Sequence, residues 1–341
     1  MSKTIVIALG GNALQKDGFP ATAEAQLDIV KSTASYIADI IEEGNKVVIT
    51  HGNGPQIGRI LLASEYAAKI TPPMPLDVCG AMSQGYIGYH IQQALGNTLL
   101  KRGIKKPVVT VITQVVVDKN DSAFENPTKP IGPFYSEAEA RDLSKEKGYI
   151  VKEDAGRGWR RVVASPEPVR IVEIEAIKML LKAGAIVIAL GGGGIPVTED
   201  KNGMLSGTAA VIDKDLGAEK LAEEINADTL LILTAVDKVA INYKQNNQRN
   251  LDMMTTLEAE SYMAEGHFAP GSMLPKIKAA VRFANSNSNR KAIISSLHLA
   301  EKALAGLDGT TIIGALPSGN TYLSPSFPDS KRDIKQLNIA K

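Results

Sequence analysis

Lys-Thr-Ile-Val-Ile-Ala-Leu-Gly-Gly-Asn-Ala-Leu, residues Lys3 to Leu14, decides how the chain reads. Thr4 to Leu9 is a short apolar run rich in β-branched residues, the pattern of a strand buried on both faces. It stops abruptly at Gly10-Gly11-Asn12. Two glycines allow backbone conformations barred to other residues and let a ligand approach peptide N–H groups closely. Alone, the pair is equally a tight turn leaving a sheet. A second stretch of the same kind then follows. Lys46 to Thr50 is another short apolar run, and it leads into His51-Gly52-Asn53-Gly54-Pro55-Gln56-Ile57-Gly58. Pro55 suits the first turn of a helix. Free N–H groups and the helix dipole make such a start an anion site. Between the two, Ala23 to Glu43 carries Leu27, Val30, Ile37, Ile40 and Ile41 near a helical period, and Gly44 ends it. Strand, glycine turn and helix, repeated, predict a parallel sheet with ligands outside the carboxyl ends of its strands.

Composition sets the limits around that core. The chain has 341 residues, is 44% hydrophobic and carries a formal net charge of +1. It can build a full core, and its charge gives no reason to expect nucleic acid or an acidic membrane surface. Met1-Ser2-Lys3 leads straight into a strand without a signal-peptide pattern, and no apolar run is long enough to cross a bilayer. The single cysteine, Cys79, rules out an internal disulfide, fits a reducing compartment and reads as core packing. His51 reads as a structural histidine at a strand end.

Further along, Asp77 to Arg102 predicts one long helix whose glycines require tight packing, either in the core or against a second subunit. Pro107 to Val117 predicts one β-branched strand. Asn120 to Pro168 is polar and rich in proline, with a short helix opened by the pair Ser136 and Glu139. An insertion of this size between core strands predicts a protruding lid. Lys129 and the cluster Arg157, Arg160 and Arg161 could hold an anion there, or form a solvated basic loop. The αβ rhythm resumes at Ile171 and reaches Gly191-Gly192-Gly193-Gly194, whose folding entropy predicts a close ligand. In Asp213-Lys214-Asp215 the first aspartate can cap a helix, and both suit its positive end. Lys214 opposes the dipole and has no structural explanation; a bound polyphosphate supplies one. His267 to Lys276 opens another helix, with Gly271-Ser272 and Lys276 in its first turns. Residues 317–341 are rich in Ser, Pro, Asn and charge, and are expected to form a flexible tail.

These features share one chemistry. Four glycine-rich turns follow strands, and lysines stand at 129, 214 and 276. There is no zinc-type spacing, no P-loop and no Gly-x-Ser-x-Gly elbow. Phosphoryl transfer needs positioning and positive charge more than covalent chemistry. An acceptor that is already an oxyanion needs no general base.

At this point the chain resembles the amino-acid kinase superfamily and, within it, the carbamate kinase family, from Lys3 to about Ile313. The residues that carry the resemblance run from Ala8 to Ala13, His51 to Gly58, Asp77 to Gly85, Asn126 to Gly132, Gly156 to Arg161, Ala210 to Asp215 and His267 to Met273. The resemblance implies an α/β fold, a three-layer αβα sandwich with a mostly parallel central sheet and a small protruding lid subdomain. One domain would cover 1–316, with the carbamate and phosphoryl site in its N-terminal half, the lid at about 120–168 and the nucleotide-binding half at about 210–316. It implies a phosphotransferase acting on a carboxyl group, ATP + carbamate ⇌ ADP + carbamoyl phosphate with Mg²⁺, in a cytoplasmic homodimer that makes ATP in arginine catabolism. Carried onto these positions, Lys129, Lys214, Asp215 and Lys276 would be catalytic. Gly10, Gly11, Asn12, Gly52, Asn53 and Arg157 would hold the phosphoryl group or substrate. Thr234, Val236, Tyr243, Gly271, Ser272 and Met273 would hold the nucleotide. No residue is assigned to a metal. The family usually has Gly-Val-acidic before the Asp-Lys-Asp run, whereas Gly207-Thr208-Ala209 stands here, which would remove a carboxylate from near the site. A relative acting on another carboxylate shares the fold, but the Lys129 segment and the Asp-Lys-Asp run favour carbamate. A nucleotide or carbamoyl-phosphate sensor would not need all three lysines.

Overall fold

Thr4–Leu9 lies between Thr229–Thr234 and Lys46–His51, parallel to both, with Ile7 opposite Leu231 on one side and Ile49 on the other. The computed structural model describes residues 2–15, 20–154 and 156–315, so the expected tail at 317–341 lies outside the described residues. The central sheet has eight strands, in the order Met253–Thr255, Thr310–Ile313, Lys291–Ser296, Thr229–Thr234, Thr4–Leu9, Lys46–His51, Ile186–Ile188 and Val108–Thr110. Its pairings are parallel except where Thr310–Ile313 meets Lys291–Ser296.

Side chains alternate across a strand, so each strand feeds two cores. Ile5, Ile7 and Leu9 pack with Val30, Ile37, Ile91 and Leu95 from the helices Ala23–Glu42 and Leu76–Lys101. Val6 and Ala8 pack on the other face with Leu221, Ile277 and Phe283 from the helices Lys214–Glu224 and Met273–Asn285. Each such aliphatic side chain contributes roughly 1.5–3 kcal/mol by leaving water. The result is a three-layer αβα sandwich with a mostly parallel sheet. Thr22 caps the helix Ala23–Glu42 through the N–H of Ala25 at 3.2 Å, and Gly44 follows at φ +87°, where the sequence places the stop. Gly88 lets the helix Leu76–Lys101 approach the sheet, since a Cβ there would lie 2.3 Å from Thr110 Cγ2. Cys79 is fully buried in a core cluster beside Ile57 and Leu76.

The run from Pro107 to Val117 is two strands rather than one. Val108–Thr110 ends the central sheet, and Gln114–Val116 joins a separate four-stranded sheet with Ile195–Glu199 and Arg170–Ile171. At the break the Gln84 side chain accepts from the Thr113 N–H at 2.8 Å and donates to the Thr113 carbonyl at 3.1 Å, and that carbonyl also accepts from the Ile195 N–H at 2.9 Å. The Thr113 N–H is thus satisfied by a side chain rather than by a neighbouring strand.

A three-stranded antiparallel sheet, Lys129–Tyr135, Trp159–Val163 and Val151–Glu153, stands beside the sandwich with the helix Glu137–Lys147. Ser136 and Glu139 form a capping box at the start of that helix. The small sheet rests on the helix Gly54–Tyr66, where a Cβ on Gly58 would lie 2.0 Å from the backbone of Gly132. Arg161 pairs with Glu65 at 2.9 Å and lies over the Tyr149 ring at 3.9 Å, while the Tyr149 hydroxyl also bonds Glu65.

Candidate active site

The glycine turns gather at the carboxyl ends of the central strands. Gly10 donates its N–H to Leu233 at 3.0 Å, and a Cβ there would lie 2.8 Å from the same carbonyl. Gly10 thus ties two strands together, and the chain turns in Gly11–Ala13. Gly52 donates to Leu9 at 3.1 Å and leaves room for a lysine stem, since its Cβ would lie 3.3 Å from Lys214 Cδ. Asn53 then starts the helix Gly54–Tyr66. These turns border a cavity of about 560 Å³ that also takes in Lys129, Lys214, Asp215, Gly271, Ser272 and Lys276.

The four glycines at 191–194 answer to the protein's own side chains rather than to a ligand alone. A Cβ on Gly191 would lie 2.5 Å from the His51 ring, one on Gly192 2.1 Å from the Asn53 amide, and one on Gly193 2.6 Å from the Ile212 carbonyl. Of the four, Gly192 lines the cavity. His51 is buried, its Nδ1 lies 2.9 Å from the Gly52 carbonyl, and burial pulls its pKa down to about 4. It is a neutral structural histidine, as the sequence suggests.

The lysines are held in a chain of ion pairs. Asp213 caps the helix Lys214–Glu224 by accepting from the Asp215 N–H at 2.8 Å, and its other oxygen accepts from Lys129 Nζ at 2.6 Å. Asp215, at 2% exposure, accepts from Lys214 through one oxygen and from Lys276 at 3.0 Å through the other. Burial works against charge on both aspartates, but the lysines outweigh it and hold both carboxyls below their usual range. Burial pulls the Lys214 ammonium down, and Asp215 opposes that loss. Three ammonium groups against two carboxylates leave an excess positive charge facing the cavity. The N–H groups of Gly11 and Gly54 have no partner among the described residues, so they add donors on the same side.

Several expected residues are outside the cavity lining. Arg157, expected at the substrate, is exposed; Asp154 binds it at 3.0 Å and the Phe134 ring lies 5.0 Å below it. Gly10, Asn12, Thr234, Val236, Tyr243 and Met273 do not line the cavity, and Tyr243 is half exposed. Thr208 and Ala209 are also outside the lining. Sequence reasoning took Asp213 for a cap and missed its hold on Lys129, 84 positions away. It also missed Ser165, Glu167 and Gln56 at the cavity wall, which no spacing signals. Among the described residues no cluster of three or more His, Cys, Asp or Glu could hold a metal.

Residues 3–296 match the amino acid kinase family. The carbamate kinase of Clostridium perfringens is 57% identical over 91% of this chain and 99% of its own length. That of Pyrococcus horikoshii is 56% identical over 92% and 99%. The structure of carbamate kinase from Giardia lamblia bound to AMP-PNP superposes with a TM-score of 0.85 at 47% identity, covering 92% of this chain and 99% of that one. With a fold, a cavity and near full-length identity that agree, the chain belongs to the amino acid kinase family and, within it, to the carbamate kinases.

Proposed function

We propose that the cavity moves a phosphoryl group between carbamoyl phosphate and ADP, giving carbamate and ATP, and runs the reverse. The observation that carries this reading is the convergence of Lys129, Lys214 and Lys276 beside the Gly11 and Asn53 turns. Toward ATP, a β-phosphate oxygen of ADP attacks phosphorus, the P–O bond to the carbamoyl group breaks, and carbamate leaves as an anion. No proton has to move, so no general base is required. That agrees with a buried, neutral His51. Lys214 and Lys276, fixed by Asp215, spread positive charge over the phosphoryl oxygens, and Lys129, fixed by Asp213, adds to it. Because the aspartates hold the ammonium groups before substrate arrives, little reorganisation is left for the reacting complex.

In this reading Gly11, Gly52 and Asn53 lie against the carbamoyl end. Gly271 and Ser272 lie toward the nucleotide. Mg²⁺ arrives on the nucleotide phosphates, in keeping with its preference for phosphate and water ligands. Residues 120–168 form the lid subdomain that carries Lys129, held against Asp213 at the site. Two chains pair through the exposed apolar face of the helix Leu76–Lys101, which presents Val78, Met82, Tyr89 and Leu100. A near-neutral charge, a single buried thiol and the absence of a membrane-spanning helix among the described residues suit a cytoplasmic enzyme of arginine catabolism. The test is ATP formation from ADP and carbamoyl phosphate with Mg²⁺, followed by a coupled assay. ATP formed with carbamoyl phosphate, and not with a phosphorylated amino acid, supports the reading; nucleotide binding without turnover overturns it.

A further inference from the structure

Asn53 has an amide with a donor end and an acceptor end, and its neighbours determine which end faces the cavity. Ser83, fully buried, donates its hydroxyl proton to the Gly80 carbonyl at 2.6 Å. That proton is spent, so the group 2.8 Å from Ser83 Oγ must itself donate. It is Asn53 Nδ2. The amide lies flat against Gly192, where a Cβ would come within 2.1 Å of Nδ2, 2.3 Å of Cγ and 2.5 Å of Oδ1. Turning the amide over would set Oδ1 against Ser83 Oγ, which has no proton left to give, and the bond would be lost. Oδ1 is left as the free edge. Asn53 is 4% exposed and lines the cavity, and no described residue donates to Oδ1.

An acceptor that opens only onto a cavity, on a residue otherwise 4% exposed, is placed to take a donor from whatever occupies that cavity. Phosphoryl oxygens cannot, since they carry negative charge and no proton, and Oδ1 would repel them. Carbamate and carbamoyl phosphate can. Their nitrogen lone pair is delocalised into the carbonyl, so the amino group is purely a donor with two N–H bonds. We infer that Asn53 Oδ1 accepts from the amino group of the substrate, which makes Asn53 the residue that separates carbamoyl from acyl substrates. Ser83 is a positioning residue that holds the acceptor end toward the cavity. The inference rests on the phosphoryl-transfer reading above. It narrows the role of Asn53 within that reading, from lying against the carbamoyl end to accepting from its amino group.

Acetyl phosphate is the probe, because its methyl group occupies the place of the amino group and has no proton to give. The measurement is kcat/KM for carbamoyl phosphate divided by that for acetyl phosphate, with MgADP as acceptor. Wild type is expected to favour carbamoyl phosphate. In Asn53→Ala the ratio is expected to fall roughly 10- to 100-fold, as for loss of one hydrogen bond to a buried group. Equal losses for both donors, or no loss for either, overturn the assignment. If Asn53→Ala does not fold, Ser83→Ala decides: freeing the amide to turn lowers the same ratio, whereas a packing role leaves it unchanged and overturns the inference. Wild-type protein that makes no ATP from carbamoyl phosphate overturns the reaction and this inference together. Wild-type turnover with an unmoved ratio in the variant overturns the Asn53 role alone.

Discussion

A carboxylate at 2% exposure that binds two ammonium groups is stable only as a unit. Asp215 with neither lysine would be an uncompensated buried charge, whereas either lysine alone still pairs with it. Lys214 opposes the helix dipole and is unexplained in the sequence; Asp215 and the space left by Gly52 now account for it. One helical turn beyond Asp215 lies Glu219, also buried but with no ion pair among the described residues. Burial, then the Glu223 carboxylate, push its pKa up to about 7; Arg282 and Lys220 pull the other way and Glu167 adds to the rise. The native state then binds a proton that the unfolded chain releases near pH 4.5. This stabilisation is complete below pH 4.5 and is lost as pH rises through 7. Glu219→Gln cannot ionise, so the variant is expected to match wild type near pH 4.5 and exceed it at pH 8 by up to about 3 kcal/mol. Denaturant melts at the two pH values check this. Equal stability of the two proteins at pH 8 would contradict it.

At the scale of elements, the small sheet is pinned where it crosses the helix Gly54–Tyr66. Gly58 meets Gly132 backbone to backbone, and Glu65, Arg161 and Tyr149 close the contact. The sequence predicts a protruding lid that carries Lys129. In the structure Lys129 already reaches Asp213 at the start of the strand Lys129–Tyr135. Gly58→Ala would place a methyl group 2.0 Å from Gly132 and push the strand away. Overpacking of this kind typically costs about 1–3 kcal/mol. The expected outcome is a fall in kcat of roughly tenfold or more from misplacing a charged group, with ADP affinity close to wild type. Hydrogen exchange should rise over 129–163. Unchanged kinetics would show that the contact does not set the position of Lys129. The glycines at 58 and 132 stand in the sequence, but nothing local says that they meet. Contacts between segments 74 positions apart become visible only in the fold.

At the scale of the molecule, the three-layer sandwich was implied by the family resemblance, while the repeated strand–glycine–helix pattern was itself enough to read a parallel sheet, because strands buried on both faces leave continuous apolar runs. It was not enough to place the break at Thr113, whose N–H goes to a glutamine from another helix. Lys214 was legible because it opposes the helix dipole, whereas the roles of Lys129 and Lys276 came with the family resemblance. Asp213 as the anchor of Lys129 was not legible, because capping already explained it. Thr234, Val236 and Tyr243, which the family resemblance implies for the nucleotide, are outside the cavity lining. Val78, Met82, Tyr89 and Leu100 share one exposed face of a helix, with Tyr66, Ile70 and Met74 exposed in the chain just before it. An apolar patch of this extent points to an interface. Met82→Glu would bury a charge there, so light scattering should show a wild-type dimer and a variant monomer. A monomeric wild type at micromolar concentration would contradict the pairing.

The central claim is that the fixed lysines stabilise the transferring phosphoryl group. Lys214 tests it most directly, since it is buried, held by Asp215 and part of the cavity wall. The measurement is kcat of Lys214→Ala for ATP formation from ADP and carbamoyl phosphate, with ADP binding followed by calorimetry. By comparison with removal of one oxyanion donor, kcat should fall roughly 10²- to 10³-fold, about 2.7–4 kcal/mol, while ADP affinity stays near wild type. Turnover near the wild-type rate in a folded, ADP-binding variant would contradict the account.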